Sequence, residues 1–146
     1  MMKALLFLFL GVFACTTQAS CFRLASEEFG IDWRLIYSIA KVESNHNADA
    51  INVNNNKSID VGMMQINTVH QYELANRGIA MNELLDPCKN VIVGTWLLKK
   101  SIARADGDIW KGVGFYHSAT PSIQLRYIGK VKLAFDNLNR QSPTSP

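Results

Sequence analysis

The chain has 146 residues, 48% of them hydrophobic and 18% charged, enough for one core of ordinary size and too few for two. That balance excludes a disordered, collagenous or coiled-coil chain. Fifteen Lys and Arg against 12 Asp and Glu leave +3 with no run of like charge, so no nucleic-acid footprint is present and the small excess suits at most an anionic substrate.

Read from the N-terminus, the only long apolar run follows Met1-Met2-Lys3 and gives way to Cys15-Thr16-Thr17-Gln18-Ala19. The run is well short of the ~20 residues that a spanning helix takes, and Thr17-Gln18-Ala19 is similar to a small-residue cleavage site. Residues 1–19 are therefore predicted to be a secretory signal, with no stable membrane span once it is removed. The alternative, a lipoprotein box at Cys15, is opposed by Phe13, which stands where that box takes a small or β-branched residue. Loss of Cys15 leaves Cys21 and Cys88, an even pair in an exported chain. A disulfide is the natural reading and would stabilise by about 4 kcal/mol in the chain-entropy account. Two buried thiols are the alternative.

Residues 22–29 place apolar side chains at Phe22, Ala25 and Phe29 before Gly30 and predict a short helix. Asp32 is placed to cap a second helix over 33–44, in which Trp33, Ile36, Ile39 and Ala40 form one face. One further turn of that face arrives at Glu43. A carboxylate on a buried stripe is costly, so it has a partner or is retained for function. Residues 45–56 are rich in Asn and read as a surface loop. Residues 58–67, with Val61, Met63 and Ile66 around Gly62, read as a small strand or hairpin. A third helix is expected over 68–77. A long fourth one follows the Asp86-Pro87 cap to about Ala105, with Val91, Thr95, Leu98 and Ile102 aligned. A short apolar helix over 109–116 follows Asp108, and Thr120-Pro121 opens a last helix bearing Ile123, Tyr127, Val131, Ala134, Phe135 and Leu138. Residues 141–146 are expected to be a disordered tail. The fold class is α+β, mostly α-helical: six helices and one small β excursion in a single domain over 20–140.

His46, His70 and His117 lack the spaced partners of a zinc site, and neither a G-x-S-x-G nor a glycine-rich phosphate loop occurs, so neither a metal nor a cofactor is expected. With the cysteines paired, thiol catalysis falls away as well. Carboxylate acid/base chemistry remains, for which Glu43 is the candidate, because desolvation favours the protonated form of a carboxyl group. An ordinary buried ion pair or a hydrogen-bonded carboxylate is the competing account of the same residue. Asp49 and Asp60 are the nearby carboxylates that could act as a second group.

Lys41-Val42-Glu43-Ser44, Asp60-Val61-Gly62-Met63-Met64-Gln65-Ile66-Asn67, Tyr116-His117-Ser118 and Arg126-Tyr127-Ile128 occur in that order. Together they resemble the E-S, G-[LM]-M-Q-I-N, A-Y-N and Y-[VI] blocks of the lytic transglycosylases with a lysozyme-like fold. The likeness runs from about Cys21 to Leu138. The small size, the signal, Asp86-Pro87-Cys88 and Tyr-His-Ser in place of Ala-Tyr-Asn are similar to the specialised branch that serves secretion, conjugation and pilus assembly.

The resemblance implies a lysozyme-like domain with a substrate cleft and Glu43 as the single catalytic acid and base. It implies peptidoglycan glycan strands as the substrate, and secretion or pilus machine components as partners. It places Ser44, Met64, Gln65, Asn67, Tyr116 and His117 along the cleft, and Tyr127 as the residue that holds the catalytic carboxylate. His117 replaces an amide, which puts a group of the kind that titrates at about pH 6 to 7 beside the substrate. The location implied is the periplasm of a Gram-negative bacterium. Two other functions stay open on the sequence: a lysozyme-type hydrolase using Asp49 or Asp60 to position water, and an inactive peptidoglycan-binding scaffold.

Overall fold

The computed structural model describes residues 16–141. Most of the predicted signal and the residues from 142 onward lie outside that range. Helix α1, Thr16–Phe29, begins earlier than predicted, and the expected cleavage after Ala19 falls in its first turn. The apolar spacing that marked the helix starts only at its packed part, where Phe22 and Ala25 are buried.

Helix α2, Trp33–Ser44, is set by the Asp32 cap, whose carboxylate accepts the Arg34 backbone N–H at 2.9 Å. It buries Leu35, Ile36, Ile39 and Ala40 and stops at Asn45, which is left-handed at φ 56°. Three short strands follow, β1 Ile51–Val53, β2 Ile59–Val61 and β3 Ile66–Asn67, paired antiparallel in that order. Ile51 lies opposite Val61, and Asp60 lies opposite Asn67. Strand β1 corrects the reading of residues 45–56 as loop throughout. Ile51 and Val53 are 56% and 68% exposed, so the strand is an edge held by backbone pairing and leaves no alternation of burial to detect.

The helix expected over 68–77 is divided into a 3₁₀ turn, Thr68–His70, and α3, Gln71–Ala75. Asn67 causes the break by accepting the Val69 N–H at 2.9 Å. A second 3₁₀ turn, Met81–Leu85, has no counterpart in the sequence reading. Helix α4, Pro87–Arg104, then starts on the Asp86 cap with proline in its first turn. Helix α5, Ile109–His117, starts on the Asp108 cap, and α6, Pro121–Gln141, closes the domain. Gln141 thus ends a helix instead of starting the tail.

Helix α4 is the centre of the molecule. It packs against α1 on one side and α5 on another, while α6 covers α2 and α5. The main core joins Phe22, Ile36, Ile39, Met63, Met64, Leu98, Val113 and Val131. A second cluster under the sheet joins Val61, Ile66, Leu74, Leu84, Val93 and Leu97, so α4 is buried on two faces and not on the single stripe expected. Tyr116 packs against both clusters, at the seam where the cleft opens. Of the two readings for the cysteines, the disulfide is the one found: Cys21 and Cys88 are bonded with Cα atoms 5.2 Å apart, tying α1 to the start of α4 across 67 residues.

Candidate active site

A cleft of about 770 Å³ runs between the sheet and the α4–α5 face, lined among others by Glu43, Asp60, Gln65, Asn67, Tyr116 and His117. Each of these arrives by a local rule. Glu43 sits one turn beyond the buried face of α2, with its side chain only 11% exposed. Helix α6 crosses α2 there, and the Tyr127 hydroxyl donates to Glu43 Oε1 at 2.6 Å.

His117, in the last turn of α5, lays its ring flat on Tyr127 with centroids 4.0 Å apart and planes within 2°. Its Nδ1 stands 3.5 Å from the same Oε1, beyond ordinary hydrogen-bond length and within reach of an ion pair when the ring is protonated. Both neighbours therefore converge on Oε1. Among the described residues no hydrogen-bond donor reaches Oε2. Burial, and then the charge of Glu43, push the Tyr127 hydroxyl well above its ordinary range, so it stays protonated and can only donate to the carboxylate.

The turn that carries Met64 and Gln65 is built by exact fit. Gly62 has φ +76°, and a Cβ there would stand 2.2 Å from the Asn90 side-chain nitrogen and 2.5 Å from the Leu84 carbonyl oxygen. Asn90, buried in α4, donates to the Val61 and Leu84 carbonyls at 2.9 and 2.8 Å and accepts the Met64 N–H at 2.7 Å. From α2, the Ser44 hydroxyl donates to the Met63 carbonyl at 2.7 Å. Tyr116 donates to the Met64 carbonyl at 2.7 Å. Burial raises the Tyr116 hydroxyl well above its usual range, and the charges of Glu43 and Asp60 add to this.

Four donors or acceptors thus fix the backbone around Met64, and Gln65 is held in the left-handed region at φ 51°. Its side-chain amide donates to the Gly62 carbonyl at 2.8 Å and accepts from Asn52 at 2.5 Å. Asn67 and Asn54 donate to the two oxygens of Asp60 at 2.7 and 2.9 Å, respectively, which orients that carboxylate on the cleft wall.

Glu43, Gln65, Asn67, Tyr116 and His117 of the sequence-predicted site are brought together on the cleft, with Tyr127 behind Glu43. Ser44 and Met64 are not on its walls. The Met64 side chain is fully buried against Gly94, and Ser44 acts through Met63. Asn90 was missed, although an amide among the apolar positions of α4 is the same kind of signal that exposed Glu43. Lys100, Arg104 and Phe115, which also line the cleft, left no such mark. Of the two candidate second carboxylates, Asp60 lines the cleft and Asp49 does not.

A mostly helical domain with a three-stranded sheet, and one nearly buried glutamate pinned by a tyrosine at the cleft, is a lysozyme-like domain. Residues 20–133 match the family model described as the transglycosylase SLT domain, and the chain belongs to that family. It is 36% identical over 132 residues to invasion protein IagB of Salmonella typhi, covering 87% of this chain and 82% of that one. It is 38% identical over 104 residues to protein IpgF of Shigella flexneri, covering 70% and 68%. A peptidoglycan-binding-like protein of Escherichia coli O157:H7 is 38% identical over 134 residues, 84% of this chain and 80% of that one.

Proposed function

We propose that this chain is a peptidoglycan lytic transglycosylase that cleaves the β-1,4 bond between N-acetylmuramic acid and N-acetylglucosamine without water. The observation that carries the reading is the two-sided environment of Glu43: Oε1 takes the Tyr127 hydroxyl, and among the described residues Oε2 has no donor beside the cleft. In the first step the protonated carboxyl gives its proton to the glycosidic oxygen, and the bond from C1 of the muramoyl sugar to that oxygen breaks. The cationic C1 is stabilised by the sugar's own acetamide. In the second step the C6 hydroxyl of the same sugar attacks C1, and its proton passes to the Glu43 carboxylate. The products are a free N-acetylglucosamine 4-hydroxyl and a 1,6-anhydro-muramoyl end. Because the nucleophile is internal, proximity replaces a water-activating second carboxylate.

On this reading residues 1–19 direct export, residues 20–140 form the enzyme, and the periplasm of a Gram-negative bacterium is its location. The name of the IagB relative, an invasion protein, is consistent with local wall opening for a secretion or pilus machine. Gln65, Asn67, Tyr116 and His117 contact the sugars, while Ser44 and Met64 hold the turn that presents Gln65.

Hydrolysis is the second reading, and the position of Asp60 on the same cleft favours it over any use of Asp49. One experiment separates the readings. Residues 20–146 are incubated with purified sacculi beside Glu43→Gln, and the released fragments are weighed by mass spectrometry. Anhydro ends from the unaltered chain, and none from the variant, are expected. Reducing ends, one water heavier, would transfer the reaction to hydrolysis, and equal release by both chains would remove Glu43 from it.

A further inference from the structure

A second cavity, of about 270 Å³, opens on the other side of Glu43 and His117, between α2 and α6. Besides Glu43 and His117 its walls carry Val42, Ile123 and Tyr127, and its cationic edge is Arg126 and Lys130. These two cations are one helical turn apart on α6 and so lie on one face. Neither has a carboxylate within ion-pair distance, a hydrogen bond or an aromatic ring among the described residues. Every other arginine among those residues is engaged. Arg23, Arg77 and Arg104 lie over the rings of Trp33, Trp96 and Phe115. Arg34 pairs with Asp32, and Arg140 donates to Asn137. Arg126 and Lys130 thus present two unneutralised cations to a concavity that shares its carboxylate with the cleft.

The muramoyl sugar carries, at C3, a lactyl group extended by a peptide whose second residue is glutamate. When C1 of that sugar lies at Glu43, the peptide starts on the same ring, and a cavity bordering Glu43 is within its reach. The rest of the lining is Val42, Ile123, Tyr127, His117 and Glu43, and on the proposed reading Glu43 is protonated when the sugar binds, which leaves Arg126 and Lys130 as fixed charges that suit a carboxylate. We propose that Arg126 and Lys130 form a subsite for the acidic peptide of the muramoyl residue undergoing cleavage. The inference rests on the proposed function for the identity of the sugar. It adds a preference for peptide-bearing over bare glycan, set by α6.

The test uses two small probes without a glycosidic bond, so that it does not depend on turnover. They are N-acetylmuramoyl-L-alanyl-D-glutamate and the same compound with both glutamate carboxyls amidated. Binding to residues 20–146 is measured by titration calorimetry at low salt. The dicarboxylate is expected to bind roughly tenfold more tightly than the diamide, with the difference shrinking as salt is added. In Arg126→Gln/Lys130→Gln the two probes should bind alike, while Lys100→Gln/Arg104→Gln, on the cleft wall and outside the second cavity, should keep the preference. Circular dichroism confirms that both variants are folded, and the comparison of probes on the unaltered chain needs no variant. Equal binding of both probes to the unaltered chain, binding of neither, or loss of the preference in the Lys100/Arg104 variant overturns the subsite. A retained preference in a chain that releases no anhydro ends from sacculi would preserve the subsite and sink the transglycosylase reading.

Discussion

Replacing Tyr127 by Phe removes one oxygen and leaves nearly everything else in place. The ring is 3% exposed, belongs to the main core and stacks on His117 at 4.0 Å, and all of that packing is retained. What is lost is the 2.6 Å bond to Glu43 Oε1. His117 Nδ1, at 3.5 Å, is too distant to replace it as a hydrogen bond without moving. Water can do so only in part, since the Glu43 side chain is 11% exposed. A hydrogen bond to a charged group contributes about 1.5–3 kcal/mol, so the variant should be less stable by roughly that amount in urea. On the proposed mechanism, Oε2 freed from this clamp would no longer be held toward the glycosidic oxygen, and a misplacement of about 1 Å costs on the order of 10²-fold in rate. The assay follows release of anhydro-muramoyl ends from soluble glycan strands by mass spectrometry over a range of strand concentration. kcat should fall about 100-fold, with KM changed by less than about threefold, because the contacts with the glycan remain. A kcat within about twofold of the unaltered chain would refute the role given to Tyr127.

Three further outcomes follow from the packing. Cys21→Ser/Cys88→Ser opens a loop of 67 residues and should lose up to about 4 kcal/mol in urea unfolding, and an unchanged midpoint would remove the disulfide from the stability of the domain. His46 is held below its ordinary pKa by burial, only partly offset by its bond to the Tyr37 carbonyl. The unfolded chain therefore takes up the proton first, and stability should fall as pH drops below about 6.5, with His46→Gln flattening that fall in urea titrations between pH 7.5 and 5. Gly94→Ala would put a methyl 2.6 Å from the Met64 sulfur and 2.8 Å from its Cβ. Overpacking of about 1–3 kcal/mol should outweigh a helix-propensity gain of about 1 kcal/mol, giving a lower melting temperature, and an unchanged one would show that Met64 can yield.

Much of the fold was legible because its signals are short-range. Asp32, Asp86 and Asp108 each accept an N–H of the following first turn, at 2.9, 2.7 and 2.9 Å, and each was read as a cap from an acidic residue before an apolar period. The β1 edge was not legible, since its pairing is a property of β2 and of the backbone and not of its own exposed side chains. The division of residues 68–77 was hidden for a related reason. Asn67 both caps the 3₁₀ turn and orients Asp60, and one residue's competing duties do not appear in a periodic pattern.

At the site, Glu43 was visible as a charge on an apolar stripe, but its partner was not, because Tyr127 lies 84 residues away and also fits the apolar face of α6. Only the resemblance assigned it the second duty. The pairing changes how the anomaly is understood. A lone buried carboxylate would be a pure cost, and deleting it would stabilise the domain. With the hydroxyl of a nearly buried tyrosine aimed at it, deletion to Ala instead orphans a donor, which costs about 1–3 kcal/mol and confuses loss of fold with loss of chemistry. The amide of Glu43→Gln keeps an oxygen for Tyr127 and removes only the transferable proton. The same geometry that makes Glu43 tolerable in the core therefore makes Gln the substitution that isolates its chemistry.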